Sequence, residues 1–258
     1  MTTSAVQYPL IGSQPEGNVN SFVEVADSDT SYVPKIPVGT YITLNHPFYG
    51  GLVAIRLAVP KSTTTIVPGT LSTWGAAANA GFTTNFSFVI LPVTANLNKP
   101  IAVAMQPVPL NASFVQYAWF VVCGTFRVLS TVATAINTPL FISATAGKAF
   151  VTLTAGRQLV NMNPVVAATE TIAKVAQTLS GSNIIKVANT DGWFVGGSVS
   201  GTGIVTSLIT NIDVAGNVTL ASNATATGSV TATQTANDGA SFFPTVQMHF
   251  PFAQGNIT

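Results

Sequence analysis

The sequence predicts an all-β protein: a small β-barrel or sandwich carrying an inserted small β module, with an extended N-terminal arm. Three observations predict it. Short apolar runs rich in Val, Ile, Thr and aromatics recur from about residue 40, and Gly, Pro or Asn breaks them at short intervals. That is the spacing of strands and turns in an all-β fold. Only 7% of residues are charged, against roughly 25% in an ordinary soluble chain. Finally, Gly196–Thr233 is a run of small residues with Asp213 as its one charged side chain, a composition suited to a surface rather than to a reactive site.

Residues 1–39 form the arm. They are polar, contain Pro9, Pro15, Pro34 and Pro37, and space their aromatic anchors widely at Tyr8, Phe22 and Tyr32. No helical or strand period persists there. Such a segment suits ordering on a partner, where contact area offsets the lost chain entropy.

The β-barrel core domain is expected over residues 40–169 and 238–258. YITLNHPFYGGLVAIRLAV alternates and turns at Gly50-Gly51. TIVPGTLSTW, FSFVILPV, PIAVAMQPV, QYAWFVVCGTFRVL, TPLFISATAGKAFVTL and GRQLVNM follow as further strand segments. One short helix fits Thr169–Gln177. Residues 170–237 form the inserted Ala/Thr/Gly-rich module, in which SLITNID turns at Gly216-Asn217 into VTLAS as a hairpin. Large core residues are few there, Trp193 and Phe194 being the exceptions. The aromatic alternation of SFFPTVQMHFPF, Ser241–Phe252, resembles the first unit, so the chain is expected to return and close it, burying Phe242, Phe243 and Phe250.

Composition also limits function. A chain of 258 residues that is 47% hydrophobic can bury a sizeable core. No apolar run approaches the ~18 residues of a membrane helix, and MTTSAVQYPL shows neither a basic region nor an apolar core of a secretory signal. Nine basic and eight acidic side chains leave a net charge of +1, and the basic ones are scattered, which argues against nucleic acid. A near-neutral chain repels its own copies weakly, which suits dense packing. Cys123 is the one cysteine, so no intrachain disulfide forms. Within WFVVCG it reads as a buried, inert thiol.

Catalysis finds little to stand on. His46 and His249 both sit among aromatics in strand context and read as structural. No CxxC, HxxH or HExxH occurs, so no metal or other cofactor is expected. Glu24, Asp27 and Asp29 cluster in EVADSD without the Gly and distal Glu of a calcium loop. GGSVSGTG lacks the Lys of a phosphate loop, and Thr206 stands where a dinucleotide fingerprint needs its third Gly. These glycines read as turn formers. The Asn-x-Ser/Thr triplets at Asn85, Asn111, Asn217 and Asn223 are what an Asn- and Thr-rich chain produces by chance.

The order of segments carries a resemblance. PGTLSTW (Pro68–Trp74), TANLNKPIAVAMQ (Thr94–Gln106), YAWFVVCGTFRV (Tyr117–Val128) and AINTPLFISATAGKAF (Ala135–Phe150) follow one another as in tailed-bacteriophage capsid decoration, or cement, proteins. The chain resembles them over about Thr40–Val165 and Ser241–Thr258. VSGTGI and NVTLASNATATGS are similar to small β modules of phage virion proteins, fibres included. The resemblance implies a non-enzymatic protein on the outer capsid surface that clamps subunits of the major capsid protein, often as a trimer at local threefold positions. It carries no catalytic residue. Under it, the candidate capsid contacts are Tyr8, Phe22, Tyr32, His46, Phe48 and Tyr49. The 170–237 unit makes this chain longer than the smallest members. Competing readings are a head-fibre or tail-fibre component binding a host surface glycan, for which Trp193 is the one platform candidate in the module, and a bacterial surface-layer or adhesin-like protein. A glycan hydrolase lacks the paired carboxylates.

Overall fold

The computed structural model describes residues 23–25, 34, 36–46, 49–61, 65–75, 86–109, 111–213 and 215–255. No helix occurs among them. In chain order the strands are β1 (Glu24–Val25), β2 (Tyr41–His46), β3 (Gly50–Val59), β4 (Leu71–Gly75), β5 (Ser87–Ile90) and β6 (Ile101–Ala104). There follow β7 (Gln116–Arg127), β8 (Phe141–Ile142), β9 (Ala149–Phe150) and β10 (Leu159–Val166). Then come β11 (Thr171–Thr178), β12 (Ile184–Val187), β13 (Ser198–Gly201), β14 (Ile204–Ile212), β15 (Asn217–Leu220), β16 (Gly228–Thr235) and β17 (Thr245–Ala253). The all-β class expected from the sequence is the class observed.

β7 organises the larger unit. One of its edges pairs with β3, and the other takes β1, β6 and β17 in turn along its length. Through β6, β4 and β5 the sheet runs back to β3, which meets β5 at Ala58 and Ser87. Strands β7, β6, β4, β5 and β3 therefore close a ring. Apolar side chains cover both faces of β7: Ala118, Phe120 and Val122 join one cluster, Trp119 and Val121 the other. A strand covered on both faces reads as an unbroken apolar run, which explains YAWFVVC. Each large side chain so buried contributes about 1.5–3 kcal/mol by leaving water.

β17 returns to the same sheet, between β10 and β7. Its Val246 and Met248 face the core, as does Phe243 just before it. Phe250 departs from expectation. It is 50% exposed because the ladder with β10 is interrupted there. Val160 pairs with Phe252 and Met162 with Met248, so one residue of β10 faces three of β17. Phe250 (φ 46°) and Asn161 (φ 60°) both take left-handed backbone at this bulge, and the ring swings outward to meet Tyr41, 6.3 Å between centroids. Phe242 is half-buried.

β11, β12, β15, β14, β13 and β16 form a closed barrel of their own. A six-stranded barrel has a narrow interior, and small residues fill it: Ala176, Ala232, Val199 and Val218, with Ile185, Ile209 and Leu220. Trp193 plugs this core, its indole N–H donating to the Ile172 carbonyl at 3.0 Å. The helix expected over Thr169–Gln177 is instead β11, paired residue by residue with β16 from Thr171↔Thr235 to Thr178↔Gly228. Nine residues are too few to hold a helix alone, where about 12–15 are needed. Alternating exposure along Thr171–Thr178 shows that sheet pairing decides the conformation.

The hairpin in the charge-poor stretch is present, with its turn at Asp213–Gly216 and β15 starting at Asn217. Asp213 builds it. Its carboxylate accepts the backbone N–H groups of Ala215 and Asn217 and the Asn217 side-chain amide. Gly216 has φ 80°, and a Cβ there would run into the Val187 carbonyl. The Asn217 side chain, then its backbone N–H, hold the Asp213 carboxyl below the usual carboxylate range. A depressed folded pKa means the turn's stabilisation is present above the unfolded value, roughly 3.9, and is lost as pH falls through the folded one. The Ala215 and Asn217 amide resonances are therefore expected to move, in an acid titration by NMR, with a midpoint below that value. Asp213→Asn should remove the transition; an unchanged titration in that variant would show that Asp213 does not hold the turn.

Candidate functional site

The residues singled out from the sequence do not gather. Tyr8, Phe22, Tyr32 and Phe48, with Asp27 and Asp29, lie outside the described residues. His46 is the last residue of β2, paired with Gly50. Tyr49 turns inward, its ring 5.1 Å from that of Phe126. Its hydroxyl accepts a hydrogen bond from Arg127 Nε. The glycines of Gly196–Gly203 shape β13 and the tight turn into β14. No group of three or more His, Cys, Asp or Glu side chains gathers among the described residues. Trp193 is buried, so it presents no stacking face to a sugar.

Two constellations emerge that the sequence did not announce. The first joins the two units. Arg127, at the end of β7, is buried, donates from Nη2 to the Gly192 carbonyl at 3.0 Å, and lies over the Phe194 ring at 3.8 Å. Phe194 also meets Phe243 edge-on at 5.1 Å, and Phe243 packs with Leu129 and Ala236. The larger unit thus grips the barrel through one guanidinium and a small aromatic cluster.

The second is a groove of about 540 Å³ on the exposed face where β7, β17 and β10 run together. The antiparallel register sets His249 opposite Cys123, which brings Cys123 Sγ within 3.5 Å of His249 Nδ1. Cys123 is half-buried, not sealed in the core as its sequence context suggests. The reason lies one residue on. Gly124 has φ 108°, and a Cβ there would approach the Gly51 carbonyl oxygen to 2.5 Å. This glycine lets β7 pass close against Gly51 and Leu52 beside the register shift of β3 at Val53 and Ala54. There β17 takes over the other edge of β7, and the residues from Cys123 to Thr125 are only half-buried. Amide side chains line much of the groove: Asn137, Gln158, Asn161, Asn163 and Gln247. Asn163 donates to Asn137 at 3.0 Å. Bulges commonly re-aim side chains beside functional sites, and the one at Asn161 and Phe250 borders this groove. His249 follows suit, its ring edge-on to Phe250 at 5.6 Å.

No protein-family model matches this chain, and no curated protein or solved structure matches it.

Proposed function

We propose that this chain is a non-enzymatic structural protein of a phage virion that binds the outer capsid surface and stabilises the lattice, with the major capsid protein as its partner. The carrying observation is the division of labour in the fold. The barrel of β11–β16 has both its ends in one place on the larger unit, so it can be held outward while the larger unit keeps its own surface for a shell. That surface offers exposed rings at Tyr41, Phe250 and Phe252. Low charge, weak self-repulsion and strands faced with Thr, Ser and Asn support dense packing in an assembly. Clamping neighbouring subunits calls for an interface of ~1,200–2,000 Å², more than an arm supplies, so the arm and the larger unit share it.

The test is addition of purified protein to undecorated, expanded heads. Binding is expected to saturate, and raising salt to weaken it little, since screening acts on charge pairs. Removing residues 1–22, which spares β1, should leave a folded protein whose attachment is weaker by about tenfold or more, the loss of one or two aromatic anchors. Absence of saturable binding overturns the proposal. A steep loss between low and moderate salt overturns the apolar, hydrogen-bonded interface, and equal affinity of the shortened chain overturns the arm's part in it.

A further inference from the structure

The groove between β7 and β17 holds the one sulfhydryl of the chain in contact with an imidazole. We propose that Cys123 is a thiol-exchange site, with His249 as its proton acceptor, that takes small polar disulfides. Three features carry this. The sulfur and the imidazole nitrogen are 3.5 Å apart, the nucleophile-and-base arrangement in hydrogen-bond reach that activates a thiol. The pair is fixed by backbone register rather than by flexible loops, since His249 and Cys123 are direct cross-strand partners. And the pair opens on a shallow surface groove lined in part by side-chain amides.

The lining selects the ligand class. Cys123 and His249 are the titratable groups among the lining residues; the others are amides, glycine, proline, methionine and aliphatics. Amides donate and accept hydrogen bonds without imposing a charge, so they suit the amide and carboxamide groups of a small peptide-like disulfide. In the reaction the Cys123 sulfur attacks one sulfur of the ligand while Nδ1 takes the thiol proton. A new bond forms between Cys123 Sγ and that sulfur as the ligand's own S–S bond breaks. The departing half leaves as a thiolate and recovers the proton from the imidazolium. The products are a mixed disulfide on Cys123 and one free thiol, with the ligand disulfide as the oxidant. Nδ1 must be unprotonated to accept, so the neutral ring carries its hydrogen on Nε2.

The site is tested on the full-length protein without heads, so the outcome is independent of capsid binding. The probes are an aromatic disulfide whose released thiol is coloured, and oxidised glutathione with the adduct read by mass. The folded protein is expected to gain one adduct, and Cys123→Ser none. His249→Gln should slow the reaction at neutral pH by about tenfold or more. Comparison of the wild-type rate at neutral pH with that of a free cysteine derivative keeps the test decisive even if the variant folds poorly. A wild-type rate no faster than that of the free thiol, or an unchanged rate in folded His249→Gln, overturns the role of His249. Reaction only after denaturation overturns the site.

Discussion

Arg127→Ala is expected to destabilise the protein by about 3.5–5 kcal/mol, the sum of a desolvated cation–π contact worth ~2 kcal/mol and charge-assisted hydrogen bonding worth ~1.5–3 kcal/mol. Arg127 is 4% exposed, so water screens these contacts little. Its loss strands the Gly192 carbonyl and leaves a gap beneath Phe194. Because Gly192 and Phe194 belong to the segment leading into β13, the damage should concentrate where barrel and sheet meet. Thermal melting of the variant should fall well below wild type, and limited proteolysis should cut first in the connections at 167–170 and 236–244. Arg127→Lys retains charge but not the planar fork, so it should recover only part of the loss. Arg127→Met retains the stem and should separate packing from charge. A variant Arg127→Ala that melts with the wild type would show that Phe194, Phe243 and Leu129 hold the junction without it.

Fold class was readable because its signal is local. Period-two alternation and glycine turns mark β2, β3 and the β14–β15 hairpin directly, and the hairpin turn needed only a shift of its boundary to Asp213–Gly216. β11 was misread because Glu170–Gln177 contains residues that a helix also accepts, and its partner β16 lies over fifty residues away in the chain. Long-range pairing is what the sequence leaves unstated. The same holds for the groove. WFVVCG looks buried because the preceding residues of β7 are covered on both faces, and nothing local says that cover ends at Gly124. His249 is 126 residues from Cys123, so their contact depends on the β7–β17 register. Phe250 follows from that geometry too, since its exposure comes from a bulge against Asn161. One signal was available: a histidine between apolar residues at a strand position that alternation places outward, in QMHFPF.

Replacing residues 170–237 by a short Gly/Ser linker is expected to leave a cooperatively folding protein that still coats heads, and the excised segment is expected to fold alone. Two pairs of strand ends argue for this. Thr171 and Thr235 are direct partners at the mouth of the barrel, and the Ala236 N–H donates to the Glu170 carbonyl at 3.1 Å. Beneath them Val166 pairs with Thr245, so β10 and β17 already form the two arms of a hairpin. A linker there makes a turn and no new topology. The barrel closes on its own strands, so its removal exposes no sheet edge of the larger unit, the usual route to aggregation. What is lost is the junction: Arg127, Leu129 and Phe243 gain water, and Phe194 goes with the module. Stability of the larger unit should therefore drop by a few kcal/mol, on the order of the buried side chains uncovered. A Phe243→Ser substitution in the shortened chain should restore solubility if the bared patch proves sticky. The measurements are the melting transition of each piece and attachment of the shortened chain to heads. Insoluble or non-cooperative material, even with the patch made polar, would show that the barrel is framework for the sheet. Two cooperative transitions with attachment kept by the shortened chain would show that the charge-poor stretch is a displayed module, with the contact surface left on the larger unit.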